Sequence, residues 1–100
     1  MSNTPPQFPG SAILPACPLP LVHLNGTGRD TLQQEFHEAH RALKAFGDAF
    51  ANITCNGRDY YPIGDSAYYQ ARNTRDCAFD LIKELETYLE AHLAHLASRP

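Results

Sequence analysis

No stretch of this sequence is long and apolar enough to span a membrane, and its early residues do not read as a signal peptide. The one early apolar run, Ser11 to Val22, is broken by Pro15, Pro18 and Pro20 and lacks a basic lead. Catalytic signatures are missing as well: there is no Gly-x-Ser-x-Gly, no Walker loop and no Rossmann glycine pattern. None of the five histidines has a glutamate three residues before it, which an inward-facing di-metal site on helices would want. His37 and His40, and likewise His92 and His95, therefore read as surface or packing groups, with no metal and no cofactor expected. Cys17, Cys55 and Cys77 are odd in number, lack metal-ligand spacing and read as reduced thiols. Eight Lys and Arg scattered among eleven Asp and Glu give a net charge of −3 and no basic stripe, which argues against a nucleic-acid polymer as partner. The expectation is a soluble, cytoplasmic protein that is not an enzyme.

What the sequence does contain is a seven-residue apolar repeat in two places. Leu32, Phe36, Ala39, Leu43, Phe46, Phe50 and Ile53 advance by four and three residues alternately, and Phe79, Ile82, Leu85, Leu89, Leu93 and Leu96 do much the same. Each is the apolar stripe of an amphipathic helix. His37 and Tyr88 fall off these stripes and read as solvated. Thr27, with Asp30 three residues on, predicts the N-cap of a first helix over about 27–52, and Asp65 or Ser66 that of a second over about 65–97. The second helix would be roughly 48 Å long. The fold class is all-α: a long antiparallel hairpin spanning 23–100. Residues 1–22, with six prolines, form an extended arm whose Ile13, Leu14, Leu19, Leu21 and Val22 either lie along a groove or belong to a free leader. Two helices share a single face, so the core is thin and the chain is expected to assemble into a helical-bundle homo-oligomer, dimer or higher.

Two constellations are candidates for binding. The first lies at the hairpin end: Arg58, Asp59, Tyr60 and Tyr61 in the connection, then Tyr68, Tyr69, Arg72 and Arg75 on the second helix. A register centred near residue 60 sets Arg75, within the apolar stripe, opposite Phe46. Two readings stay open: an internal ion pair of Arg75 with Asp59 or Asp65, or a pocket in which tyrosine rings stack on a base while arginines hold phosphates. The second constellation is His23, Asn25, Thr27 and Arg29, near His92 and His95. An antiparallel dimer would place it beside the first constellation of a neighbour. A small anionic ligand and a host protein are both candidate partners.

The strings His-Leu-Asn-Gly-Thr at 23–27 and Asn-Gly-Arg-Asp-Tyr-Tyr-Pro at 56–62 resemble a group of small phage and prophage helical-hairpin proteins, over roughly residues 20 to 97. At fold level the chain is also similar to phage proteins that blunt CBASS or Thoeris immunity, though it lacks their arginine–glutamate–serine helix motif. Those proteins are helical-hairpin oligomers that sequester cyclic-nucleotide signals in pockets between protomers. The function this resemblance implies is sequestration of an anionic, nucleotide-derived signalling ligand in the host cytoplasm, as an anti-defence sponge. The alternative is a protein-binding inhibitor or adaptor acting on a host or phage complex through exposed tyrosines and the proline-rich arm.

Overall fold

The computed structural model describes residues 6–98. Two long helices dominate: α1, Arg29–Ala51, and α2, Ala67–Ala97, joined by a connection that holds a 3-10 turn at Gly57–Asp59. They run antiparallel in a rod of 61 × 28 × 18 Å. The radius of gyration is 19.0 Å, against about 13 Å for a compact domain of this length. An elongated hairpin buries little. Among the described residues Phe8, Leu96 and His92 are the only buried side chains.

Before the helices, β1 (Gln7–Phe8) and β2 (Cys17–Pro18) pair antiparallel, with Gln7 opposite Pro18 and Phe8 opposite Cys17. The expected extended arm thus folds back on itself over its described part, while residues 1–5 of that expectation lie outside the described residues. The reversal needs Gly10. Its φ is +92°, and a Cβ there would come within 2.9 Å of the Ala16 nitrogen. Ser11 closes the turn, donating its N–H to the Leu14 carbonyl and accepting the Leu14 N–H on its hydroxyl.

This small hairpin is clamped to α2. Phe8 meets Tyr88 edge-on at 5.5 Å, the Ile13 N–H donates to Glu84 Oε1 at 3.1 Å, and His95 Nε2 donates to the Pro20 carbonyl at 2.7 Å. Tyr88, expected to be solvated, is therefore half-buried. Its off-stripe position is the one the arm covers. His92 is also a packing residue. Its ring stacks on Phe36 at 4.7 Å and lies 4.2 Å from Tyr88, and its Nδ1 donates to the Tyr88 carbonyl.

The helix starts differ from expectation. Gly28, not Thr27, occupies the N-cap of α1, in extended conformation and without a side-chain cap, so the Thr27–Asp30 capping box does not form. The first helical bond runs from the Leu32 N–H to the Gly28 carbonyl. Ser66 caps α2, yet its hydroxyl accepts from Gln70 Nε2 and not from a backbone amide.

The register and the facing rows also differ. Phe50 lies against Phe79, Gly47 against Ile82, Phe36 against His92 and Gln33 against the Leu96 carbonyl. The hairpin is thus centred about one helical turn beyond residue 60, and Arg75 sits over Phe50 rather than Phe46. The reason is that α1 stops at Ala51 and the connection itself packs along the first turns of α2. The α1 row facing α2 is Arg29, Gln33, Phe36, His40, Leu43, Gly47 and Phe50. Leu32, Ala39 and Phe46 stand to one side of it. The polar members of that row are held in place by bonds to α2, among them His40 to Glu90 at 3.4 Å.

Candidate functional site

The connection is built by its own hydrogen bonds. Asn56 Oδ1 accepts the Arg58 N–H at 3.0 Å, opening the 3-10 turn. The Gly57 carbonyl then accepts from both the Tyr60 and Tyr61 amides, and the Tyr60 carbonyl from the Ile63 amide. This wrapping turns Tyr60 inward, with its ring centroid 6.4 Å from that of Tyr68, which in turn meets Tyr69 at 5.5 Å. Tyr61, Arg58, Asp59 and Arg72 are left on the exposed side.

Between the connection and α2 lies an open cleft of about 270 Å³, lined by Tyr60, Cys55, Thr74 and Arg75 among others. Cys55, Thr74 and Phe50, which belong to neither constellation in the sequence, join the site here. The signal was the small row Ala71, Thr74 and Ala78, whose spacing of three and four keeps one side of α2 low and leaves the cleft open.

Arg75 forms neither expected pair. Its guanidinium donates to the Ala51 carbonyl at 2.9 Å and to the Ile53 carbonyl, and lies 5.4 Å over Phe79 and 5.9 Å over Phe50. The end of α1 leaves carbonyls without helical partners and carries no basic residue in its last turn, so it is the nearest electronegative site for a cation on α2. Asp59 and Asp65 stay exposed. With two carbonyls and two rings around it, this guanidinium is already occupied.

The second constellation lies at the other end of the rod. Arg29 donates to the carbonyls of Leu96 and Ser98, doing at the end of α2 what Arg75 does at the end of α1. Asn25 and Thr27 are exposed, and the His23 ring lies over Gly26, where a Cβ would meet its Nε2 at 2.8 Å. Within one chain, α1 separates these groups from the tyrosines by about 34 Å. The structure thus brings together Tyr60, Tyr68 and Arg75 of the expected site, leaves Arg58, Asp59, Tyr61 and Arg72 around them on the surface, and holds His23, Asn25, Thr27 and Arg29 apart.

Among the described residues no three of His, Cys, Asp and Glu gather where a metal ion would be held, and all three cysteines are free thiols. No described helix is long and apolar enough to cross a membrane. Compared with protein-family models, with curated proteins and with solved structures, the chain matches none. The reading of function therefore stands on the geometry.

Proposed function

We propose that the protein is a non-catalytic binding module that works as a homo-oligomer and engages a protein partner through its tyrosine-rich turn. The observation that carries this reading is the exposure of Tyr61 and Ile63, at 74% and 76%, on a connection rigidified by its own hydrogen bonds. Tyr69 and Arg72, in the first turns of α2, and Arg58, in the connection, are exposed as well. Tyrosine and arginine around an apolar centre is the composition of an interface hot spot, because each offers large contact area together with directional bonding. The partner would be a host or phage complex that the module inhibits or links. The thin core supports the oligomer: with so few side chains buried, a lone chain leaves much of its apolar surface in water.

A second reading, sequestration of an anionic nucleotide-derived ligand, draws support from the guanidiniums of Arg58 and Arg72, which have no partner among the described residues; Arg58 lies in the connection with Tyr60, and Arg72 one helical turn beyond Tyr68 on α2. Against it, the only arginine that lines the cleft is Arg75, whose guanidinium is occupied.

Affinity capture with the wild type and with a Tyr61→Ala/Ile63→Ala variant separates the two, alongside native mass spectrometry against cyclic di- and trinucleotides and ADP-ribose derivatives. The expected result is a stoichiometric protein partner that the double variant loses while its helicity and oligomeric mass are retained. A nucleotide held at fixed ratio by the wild type and released by Arg58→Ala would replace this reading with the second.

A further inference from the structure

Asparagine is followed by glycine twice in this chain, at Asn25-Gly26 and Asn56-Gly57. Asn3, Asn52 and Asn73 precede Thr4, Ile53 and Thr74, whose branched side chains crowd the following amide nitrogen. Glycine leaves that nitrogen open to attack the asparagine's own carboxamide, a reaction that needs no partner but water. The two Asn-Gly steps share this chemistry and have opposite surroundings.

Asn56 is locked. It is half-buried, its Oδ1 accepts the Arg58 N–H at 3.0 Å, and its carbonyl accepts the Asp59 N–H at 3.0 Å. Its backbone is extended, with φ −123° and ψ 136°. Ring closure requires the Gly57 nitrogen to eclipse Cβ about the Cα–C bond, and at this ψ it stands far from that position. The chain is also held on both sides: Arg75 donates to the Ile53 carbonyl, and the Tyr60 ring lies against Tyr68. Between such anchors the required motion is a flip of the 56–57 peptide unit. That flip breaks both bonds.

Asn25 is open. It is exposed together with Leu24 and Gly26, in a turn closed by one bond from the Gly26 N–H to the His23 carbonyl at 3.1 Å. Among the described residues no hydrogen bond holds its carboxamide. Leu24 is fully exposed and Leu21 largely so, and neither anchors this stretch of chain. Opening the turn breaks one bond and disturbs no buried side chain.

We propose that Asn25 is a site of spontaneous deamidation in the folded protein, and that its turn protects Asn56 from the same reaction. The Gly26 nitrogen attacks Asn25 Cγ. The N–Cγ bond forms, the Cγ–Nδ2 bond breaks, and the proton lost by the Gly26 nitrogen leaves with the side-chain nitrogen as ammonia. Water then opens the resulting succinimide. Cleavage of the new N–Cγ bond gives aspartate, and cleavage of the original backbone N–C bond gives isoaspartate. Either product makes the chain one unit more negative at the end of the rod where α1 begins. The tyrosine-bearing turn, whose shape depends on the Asn56 bonds, is spared.

Each additional bond to be broken slows the approach about fivefold, at the usual net worth of an intramolecular hydrogen bond. Asn25 is accordingly expected to react at least about fivefold faster than Asn56. The test incubates the full chain, folded, at neutral pH and follows both sites by peptide mapping with mass spectrometry, using isoaspartyl methylation to detect the rearranged product. A parallel sample in guanidinium chloride supplies the unfolded reference, in which the two steps are expected to react at similar rates. A folded-state rate at Asn56 equal to or above that at Asn25 overturns the proposal. So does an Asn25 that stays intact in the folded chain while it reacts in denaturant. A ratio that persists unchanged in denaturant overturns it too, because neighbouring residues and not the fold would then set it.

Discussion

Arg29 and Arg75 make the same contact from opposite ends of the hairpin: each donates from one helix to two carbonyls left open where the other helix ends. Every α-helix leaves its last four carbonyls without internal partners, and the negative end of its dipole lies there. In this rod each helix supplies the cation for its neighbour. The pair of caps fixes both the register and the ends of the contact, because sliding α2 by one turn would withdraw both arginines at once.

Arg75→Ala and Arg29→Ala are therefore each expected to destabilise the fold by about 1–2 kcal/mol, the range for a lost charge-assisted bond at a half-exposed site. Arg75→Lys should recover part of this, since an ammonium keeps the charge but cannot fork between Ala51 and Ile53. Urea denaturation followed by far-UV circular dichroism reads all three. An unchanged midpoint for Arg75→Ala would show that the cap contributes nothing.

Phe8 holds the arm down. Phe8→Ala removes a fully buried ring from the edge of Tyr88, a change that costs about 3–5 kcal/mol in a typical core. Because the arm contacts only one side of α2, the expected outcome is local: residues 6–22 become susceptible to limited proteolysis while the helical signal persists. Equal loss of both signals would show that the arm and the hairpin form one cooperative unit.

Gly47 sits inside α1 facing α2, and a Cβ there would lie 3.9 Å from Ile82 Cγ2, an ordinary contact. Glycine in a helix interior costs about 0.5–1 kcal/mol relative to alanine. Gly47→Ala is accordingly expected to stabilise the protein by about that amount, seen as a higher melting temperature. A lower one would mean that the helices pack more closely at this level than 3.9 Å allows.

Gly10→Ala should act in the opposite direction. The residue has positive φ, and the added carbon would press on the backbone at Ala16 and Leu14. A cost of about 1–2 kcal/mol to the arm is expected, seen as faster amide hydrogen exchange at Leu19, whose N–H bonds to the Pro6 carbonyl, with little change in α1.

The part of the site legible in the sequence was the part with local causes. Asn56-Gly57 opens the turn by itself, and the tyrosines that follow it were evident as a cluster. The cleft behind them was not, because Cys55, Phe50 and Thr74 meet only once the connection folds along α2. Arg75 is legible in the sequence as an arginine set within an apolar stripe. Its partners are not legible there, because they are backbone carbonyls, which leave no mark in a sequence.

By itself the sequence determined two amphipathic helices, their limits to within about two residues, the turn chemistry between them and a proline-bearing segment ahead of them. Periodicity and turn signals are properties of neighbouring residues, so no distant contact is needed to read them. Tertiary structure decided which row of α1 faces α2, the register, the fold-back of the arm and the burial of Tyr88 and His92. A helix rotated by one row, or slid by one turn, still sets apolar residues against apolar residues, so hydrophobic burial alone hardly distinguishes the alternatives. Directional bonds do: the guanidiniums of Arg29 and Arg75 and the amide of Gln33 reach their carbonyls in one arrangement.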